Sequence, residues 1–323
     1  MKKALVVGSS LIDLFLRPEE SHATITNGHV SLLLGDKIPT EIDRMSLGGN
    51  ASNVSVGLAR LGVSTSFYTW LGNDVLSTEI ENTIEKEGLE LLTEENRSGK
   101  AGLSAILNFG KDRIIFSHHE RRSHIFTPPS IKPDLIYLTS VGDTWKETYE
   151  SVIEFAQQTN AQLAFSPGSK QIENISDIII KTLSKTTLLF VNKQEANRIL
   201  KYVGEESDDM KTILTSLSLL GPKIVSVTDG AQGAFARNAE DEFFKIAALP
   251  NDNAINKAGA GDAYASGFLV SYLLGNDIPE TMGWGTNNAS AVMKKIGAQD
   301  GLLRDEEMQS INNSGIIRGE ILS

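Results

Sequence analysis

The sequence predicts an α/β protein: a doubly wound, mostly parallel sheet flanked by helices, with an additional small β-sheet. Three observations support this fold class. Short apolar runs recur along the 323 residues, as is typical of parallel strands that are buried on both faces. Segments with the apolar spacing of amphipathic helices alternate with these runs. Two regions interrupt the alternation and contain only strand-like pieces.

The strands of the main sheet are predicted from apolar runs that are too short to be helices. In chain order these runs are residues 4–7, 135–138, 163–165, 188–191 and 224–227. Since helical segments separate most of them, neighbouring strands are expected to be parallel.

The helices are predicted from apolar residues that recur every three or four positions. In residues 50–61, for example, Val54, Leu58 and Leu61 share one face, and Gly62 follows where a left-handed residue commonly ends a helix. The predicted helices are residues 50–61, 76–87, 146–158, 208–220 and 263–274.

The small sheet is predicted from two separate segments. Residues 11–45 contain strand-like pieces at 11–16, 30–34 and 37–45, and residues 99–118 contain two more, at 101–109 and 113–118, joined by the turn Gly110-Lys111-Asp112. Two β excursions from one α/β body are expected to form a lid over a site. We therefore predict a single domain, residues 1–323, with a discontinuous β-lid from about 11–45 and 99–118.

Composition excludes several classes of function. The chain has no cysteine, which excludes disulfides, thiolate metal sites and cysteine nucleophiles. A formal net charge of −11 makes a nucleic acid an unexpected partner. No apolar stretch is long enough to span a bilayer, and residues 4–7 are too short for a signal sequence. A cytoplasmic location with no membrane partner is expected.

The segment most informative about chemistry is Gly259-Ala260-Gly261-Asp262, at the start of a predicted helix. Its small residues let backbone N–H groups approach a ligand closely, and the positive end of the helix dipole favours phosphate there. Asp262, in the first turn, could take a proton from an attacking hydroxyl. The alternative is structural: a tight glycine turn with Asp262 as a helix cap. Spacing alone leaves both interpretations open.

Two other phosphate-binding loops are excluded by direct inspection. The P-loop pattern Gly-x4-Gly-Lys-Ser/Thr does not occur. A dinucleotide-binding fingerprint would require Gly or Ala where Tyr264 stands, and no strong apolar strand directly precedes the glycines.

The Gly-Ala-Gly-Asp segment resembles the signature of the ribokinase-like (PfkB) sugar kinases. Other segments resemble further motifs of that family, in the family's order, over roughly residues 1–310. These are Asp13 after the first strand, Gly48-Gly49-Asn50-Ala51-Ser52-Asn53, Asn192-Lys193-Gln194-Glu195, Thr228-Asp229-Gly230-Ala231-Gln232-Gly233, and Gly297-Ala298 near the end.

The resemblance implies an ATP-dependent kinase that phosphorylates the hydroxymethyl group of a sugar or sugar-like acceptor, with Mg²⁺ as the bridging ion. It implies Asp262 as the catalytic base and the backbone of Gly259, Ala260 and Gly261 as the anion hole. The acceptor hydroxyls would be bound by Asp13, Gly49, Asn50 and Asn53. The nucleotide and its Mg²⁺ would be bound by Asn192, Glu195 (to the metal through water), Thr228, Gly230, Gly233 and Asn287.

Several of these residues also have structural interpretations. Asn192 and Glu195 have the spacing of a helix capping box. Asp13 is equally typical of a turn, and Asn287 of a polar helix surface. Lys170 is not assigned a ligand, and His119 is expected on an exposed charged surface.

One departure from the family pattern concerns a monovalent cation. Asn256 and Lys257 replace the usual Asp-Thr before the glycines, and an amide cannot supply the negative charge that the family aspartate gives to an activating cation. Either the Lys257 ammonium replaces that cation, making activity insensitive to potassium, or the cation site is simply lost.

The sequence leaves the acceptor and the assembly open. Alternatives to a sugar kinase are a nucleoside kinase of the same fold and a non-catalytic sugar- or nucleotide-binding regulator. An oxidoreductase would need the missing glycine fingerprint. Because exposed strands of a lid can pair with another subunit, a homodimer through the lid is a further hypothesis.

Overall fold

The computed structural model describes residues 2–94, 97–110, 112–120, 123–250 and 258–322. It confirms the predicted fold class, a large, mostly parallel sheet flanked by helices with a separate small sheet. The strands are β1 (Lys3–Val7), β2 (Leu11–Pro18), β3 (Ala23–Thr26), β4 (His29–Leu32), β5 (Thr40–Gly48), β6 (Ser64–Tyr68), β7 (Glu90–Leu92), β8 (Gly102–Phe109), β9 (Asp112–His118), β10 (Leu135–Leu138), β11 (Gln162–Phe165), β12 (Leu188–Asn192), β13 (Ile224–Thr228), β14 (Ala234–Arg237), β15 (Phe243–Ile246) and β16 (Glu320–Ile321). The α-helices are α1 (Asn50–Arg60), α2 (Val75–Lys86), α3 (Trp145–Thr159), α4 (Ser169–Glu173), α5 (Asp177–Leu183), α6 (Lys193–Tyr202), α7 (Met210–Leu219), α8 (Ala260–Leu274), α9 (Ile278–Val292) and α10 (Asp305–Asn313).

The main sheet has the strand order β16-β15-β14-β13-β12-β11-β10-β1-β6-β7 within the described residues. Every neighbouring pair from β13 to β7 is parallel, and the pairs from β13 to β16 are antiparallel. The carboxyl ends of the parallel strands therefore lie along one edge of the sheet, which is where ligands bind in open α/β sheets.

Both faces of the main sheet are covered, which explains the apolar runs. Ala4 and Val6 of β1 belong to one buried cluster, together with Phe268 of α8. Leu5 and Val7 of the same strand belong to the cluster on the opposite face, together with Tyr149 of α3. A strand with helices on both faces has no polar side, so its sequence reads as one apolar run.

Helix α1 packs against β1 and β6 of the main sheet and against α8. The helix carries Gly57, and a Cβ atom at that position would lie 2.3 Å from the Ser266 Oγ of α8. Because Gly57 has no side chain, the two helices pack closely. At its C-terminal end, the Arg60 guanidinium binds the Glu87 carboxylate through two hydrogen bonds, of 2.9 and 2.6 Å.

The second sheet, which we call the small sheet, has the strand order β5-β2-β8-β9. Its central pair, β2 and β8, is parallel, and the outer pairs are antiparallel. The pieces predicted at 11–16, 37–45, 101–109 and 113–118 correspond to these strands. The piece at 30–34 corresponds to β4, which forms a separate hairpin with β3. Within the described part of the chain, no helix combines the length and apolar character needed to cross a bilayer.

Candidate active site

The site is built around the N-terminus of α8. Gly259 precedes the helix with φ +73°, in the left-handed region, and a Cβ atom there would lie 2.5 Å from the Ala298 Cβ. The N-cap residue is thus a glycine without a capping side chain, and Asp262 lies in the first turn rather than at the cap position. A Cβ atom at Gly261 would meet no atom within 4 Å. The first N–H groups of α8 therefore adjoin open space, an arrangement that suits an anion.

Asp262, in the first turn of α8, is held by an amide from α1. Asn53 Nδ2 donates a hydrogen bond of 2.8 Å to Asp262 Oδ2. Desolvation raises the pKa of Asp262 from 3.8 to about 7, and the charge of Glu195 acts in the same direction, while the Asn53 hydrogen bond opposes both. A carboxyl with this pKa can exchange a proton near neutral pH, as a general base must.

A cavity of about 190 Å³ lies at the carboxyl ends of the central strands, beside Asp262. It brings together all four predicted catalytic residues and three of the six predicted nucleotide residues. From the predicted set, its wall includes Asn50, Asn192, Glu195, Thr228, Gly259, Ala260, Gly261 and Asp262.

Asn192 and Glu195 form the capping box that their spacing indicates. Glu195 N donates to Asn192 Oδ1, and Asn192 N donates to Glu195 Oε2, both at 2.9 Å. The pair begins α6 and also faces the cavity. Burial raises the pKa of Glu195, and the Asn192 hydrogen bonds oppose that rise. The cap is thus present, and it leaves both residues on the cavity wall.

Three predicted nucleotide residues do not line this cavity. Gly230 and Gly233 lie in the turn after β13, with φ +52° and +89°. A Cβ atom at Gly233 would lie 2.0 Å from the Ile246 carbonyl oxygen, so the close approach of β15 requires glycine. Asn287 Nδ2 donates to the Gly283 carbonyl oxygen of its own helix at 2.9 Å.

A second cavity, of about 260 Å³, adjoins the first, and Asn50 borders both. Its wall contains Ser9, Ser10, Trp70, Gly102, His119, Glu120, His124, Asp143 and Lys170, among others. Lys170 pairs with Asp143, and both side chains are about half exposed. Trp70, His124 and Asp143 carry no signal in the sequence, because they lie in loops with no motif and meet only in the folded chain.

Asp13 and Gly49 lie where β2 and β5 approach the end of β1. A Cβ atom at Gly49, whose φ is +98°, would lie 2.7 Å from the Ser9 carbonyl oxygen. Asp13 stands between Ser46 and Ser104 in the small sheet and lines neither cavity. Desolvation raises the pKa of Asp13 to about 6, opposed by a hydrogen bond with Ser104 and by the charge of Arg113.

The described residues contain no cluster of three metal-ligating side chains. Asp262 and Glu195 both face the first cavity, and the negative charge of Glu195 contributes to the raised pKa of Asp262. A hard cation would relieve this repulsion, and Mg²⁺ typically takes few protein oxygens and keeps several waters. The oxygen donors present thus fit a Mg²⁺–nucleotide complex. The predicted cation residues, Asn256 and Lys257, lie outside the described residues.

Comparison with known proteins identifies the family of the chain. The family model of the pfkB family carbohydrate kinases matches residues 1–305. The chain belongs to this family. It is a kinase, and therefore a phosphotransferase, which confirms the predicted class of enzyme.

The kinase is similar to both sugar and nucleoside kinases. It is 27% identical over 269 residues to an uncharacterized sugar kinase of Archaeoglobus fulgidus, covering 77% of this chain and 99% of that protein. It is 24% identical over 310 residues to a nucleoside kinase of Methanocaldococcus jannaschii, covering 94% of each. A solved ribokinase structure from Thermotoga maritima matches with a TM-score of 0.77 at 22% identity, covering 97% of this chain and 100% of that one. The last likeness shows the common fold.

Proposed function

We propose that this kinase transfers the γ-phosphate of ATP to the hydroxymethyl group of a sugar or sugar-like acceptor, with Asp262 as the general base. One observation carries the proposal. A carboxyl with a pKa of about 7 stands in the first turn of a helix whose N-cap residue is a glycine, on the wall of a cavity at the ligand-binding edge of the sheet.

The chemistry follows from that arrangement. The acceptor hydroxyl gives its proton to the Asp262 carboxylate while its oxygen attacks the γ-phosphorus; the bond from that phosphorus to the β–γ bridging oxygen breaks, and ADP leaves. The N–H groups of Gly259, Ala260 and Gly261 stabilise the charge that develops on the transferred group. Most of the acceleration comes from holding the hydroxyl, the phosphate and the base in line.

The nucleotide occupies the first cavity in this proposal, next to Asn192, Glu195 and Thr228, with Gly230, Gly233 and Asn287 towards its nucleoside end. Mg²⁺, when bound, would neutralise phosphate charge and bridge the phosphate oxygens. Asn192 and Glu195 would hold the hydrated ion in place by accepting hydrogen bonds from its waters.

The acceptor occupies the second cavity in this proposal. Asn50, on the wall of that cavity, would bind its hydroxyls directly, and Asp13, Gly49 and Asn53, which line neither cavity, would approach them from the side of β2, β5 and α1. A nucleoside acceptor is the second candidate, because the wall of that cavity contains the aromatic pair Trp70 and His124, whose ring centroids are 5.2 Å apart. An aromatic wall offers a surface on which the flat ring of a nucleobase can stack.

A coupled ADP-release assay with Mg-ATP and a panel of sugars, sugar acids and nucleosides tests the proposal. We expect acceptor-dependent ADP release, reduced roughly 10²–10⁴-fold in Asp262→Asn, because the amide cannot take the proton. Nucleotide binding, followed by calorimetry, should persist in the variant. Unchanged turnover in Asp262→Asn would remove the base assignment, and ATP binding without turnover on any acceptor would favour the regulator.

A further inference from the structure

A chain of two amides leads away from the Asp262 carboxylate. Asn53 Nδ2 donates to Asp262 Oδ2 at 2.8 Å, and Gln299 Nε2 donates to Asn53 Oδ1 at 3.0 Å. Both amides are almost fully enclosed, with Asn53 5% and Gln299 6% exposed. Asp262 lines the first cavity, whereas Gln299 lines neither the first nor the second cavity.

The direction of the two hydrogen bonds is fixed by chemistry. A carboxylate accepts only, so the Asn53 amide must turn its NH₂ group towards Asp262. Its oxygen then faces Gln299, which supplies a donor. If the Asn53 amide were reversed, its oxygen would face the carboxylate oxygen and its NH₂ would face the NH₂ of Gln299. The carboxylate selects the orientation of Asn53, and Gln299 stabilises that orientation by donating to the Asn53 oxygen.

Gln299 is itself held against both helices of the site. The backbone carbonyl oxygen of Gln299 accepts a hydrogen bond of 2.5 Å from Arg60 Nη1. The same guanidinium binds the Glu87 carboxylate. The residue before it, Ala298, packs against Gly259 at the start of α8. The segment around Gln299 thus touches the helix that carries Asn53 and the turn that precedes Asp262.

We propose that Asn53 and Gln299 are positioning residues for the general base: Gln299 orients Asn53, and Asn53 holds Oδ2 of Asp262 so that Oδ1 takes the proton. This inference rests on the proposed role of Asp262. It differs from direct acceptor binding by Asn53, because it assigns a role in turnover to a glutamine that borders neither cavity.

The hydrogen bond from Asn53 also affects the pH at which the base works. The groups that face Asp262 are Asn53 from α1, Glu195 from α6, and Tyr137 from β10, and Tyr137 stays neutral because burial and the Asp262 charge raise its pKa. Of these, Asn53 alone lowers the pKa of Asp262. If Asn53 is lost or reversed, the pKa rises, and the acid limb of the kcat–pH profile moves to higher pH.

The test uses Gln299→Leu and Asn53→Asp, with kcat and both KM values measured across pH. For Gln299→Leu we expect the acid limb of the kcat–pH profile to move about one pH unit higher. The reason is that losing a hydrogen bond to a charged group changes the pKa of that group by about one unit. Below the limb, kcat should fall about tenfold while KM for the acceptor stays within a factor of about three. Asn53→Asp, which places a second carboxylate beside the base, should raise the limb further.

Asn288→Leu is the matched control. Asn288 is also a buried amide against α8, donating to the Ala263 carbonyl oxygen and to Ser266 Oγ, but it does not contact Asp262. Its loss should lower the melting temperature and leave the acid limb in place. An unmoved limb in a folded Gln299→Leu variant, or a loss confined to acceptor KM, would overturn the positioning role. If Asp262→Asn retains turnover, the assignment of Asp262 as the general base is wrong, which is a separate outcome.

Discussion

At the scale of single residues, Asp13 and Asp262 have raised pKa values because the fold withdraws their carboxylates from water. For both groups desolvation outweighs the hydrogen bonds that favour the charged form. Arg113 acts on Asp13 in the opposite direction, but its charge does not reverse the balance. Such groups cost folding free energy when ionised, and that cost is commonly tolerated at sites of function.

Asp13→Asn should therefore make the protein more stable at alkaline pH. The carboxyl titrates near 3.8 when unfolded and near 6 when folded, so the folded state binds more protons between these values and the free energy of unfolding falls as pH rises. At pH 8 the variant should gain up to about 3 kcal/mol in urea unfolding, and the gain should vanish near pH 4. A pH-independent difference, or the same gain in the exposed control Asp208→Asn, would contradict this cause.

The residues of the site could be predicted one at a time, but their contacts could not. Asp262, Asn53 and Glu195 each belong to a local motif that can be read along the chain. The hydrogen bond between Asn53 and Asp262 joins positions 209 apart, and Gln299 carries no pattern of its own. Such partners are set by how α1 and α8 pack, which no local spacing reports.

At the scale of secondary-structure elements, the packing of α1 on α8 decides whether Asn53 reaches Asp262. Gly57 lies one turn beyond Asn53, against Ser266 of α8. Any side chain at Gly57 would push the helices apart and lengthen the contact on which the base depends.

Gly57→Ala should lower both the free energy of unfolding and kcat. The new Cβ would lie 2.3 Å from Ser266 Oγ and 2.7 Å from Ser266 Cβ, and overpacking of this kind costs about 1–3 kcal/mol. Urea unfolding and kcat measure the two effects. The double variant Gly57→Ala/Ser266→Gly restores the space, so it should recover kcat relative to Gly57→Ala, with Ser266→Gly alone as control. No recovery would show that the clash is not the cause.

The elements that could be predicted from the sequence are those in which apolar residues are consecutive or regularly spaced. The run 135–138 coincides with β10, and helix 50–61 with α1 to within a residue. Strand β6 was missed because polar residues occupy it, including Thr65, which is 5% exposed. Helix α9 was missed because its contact with α8 uses small residues: a Cβ at Gly267 would lie 2.7 Å from the Trp284 carbonyl oxygen. Close backbone packing leaves no apolar stripe to recognise.

At the scale of the whole molecule, the outer face of the small sheet is apolar and uncovered in the single chain. The register places Met45, Leu14, Ala105 and Phe116 in one row across its four strands. Met45 is 48% exposed and Phe116 is 62% exposed. Exposed apolar patches of this kind commonly mark protein interfaces, so the proposed homodimer would use this face.

Phe116→Glu should then convert a dimer into a monomer. Light scattering coupled to gel filtration should give twice the chain mass of 35.0 kDa for the wild type and 35.0 kDa for the variant, because a buried unpaired charge opposes association. Leu219→Glu is the matched control, since Leu219 is 78% exposed on α7, outside the small sheet. A wild type that is monomeric at micromolar concentration would refute the dimer.

Gly49 is the single residue between β5, which ends at Gly48, and α1, which begins at Asn50. The small sheet therefore has no slack in its attachment to the helix that carries Asn53. At this attachment a tilt of the sheet is either absorbed by torsion at the glycine or passed on as rotation of the first turn of α1. The torsional stiffness of Gly49 therefore affects how far a displacement of the small sheet reaches Asn53 and, through its hydrogen bond, the carboxylate of Asp262.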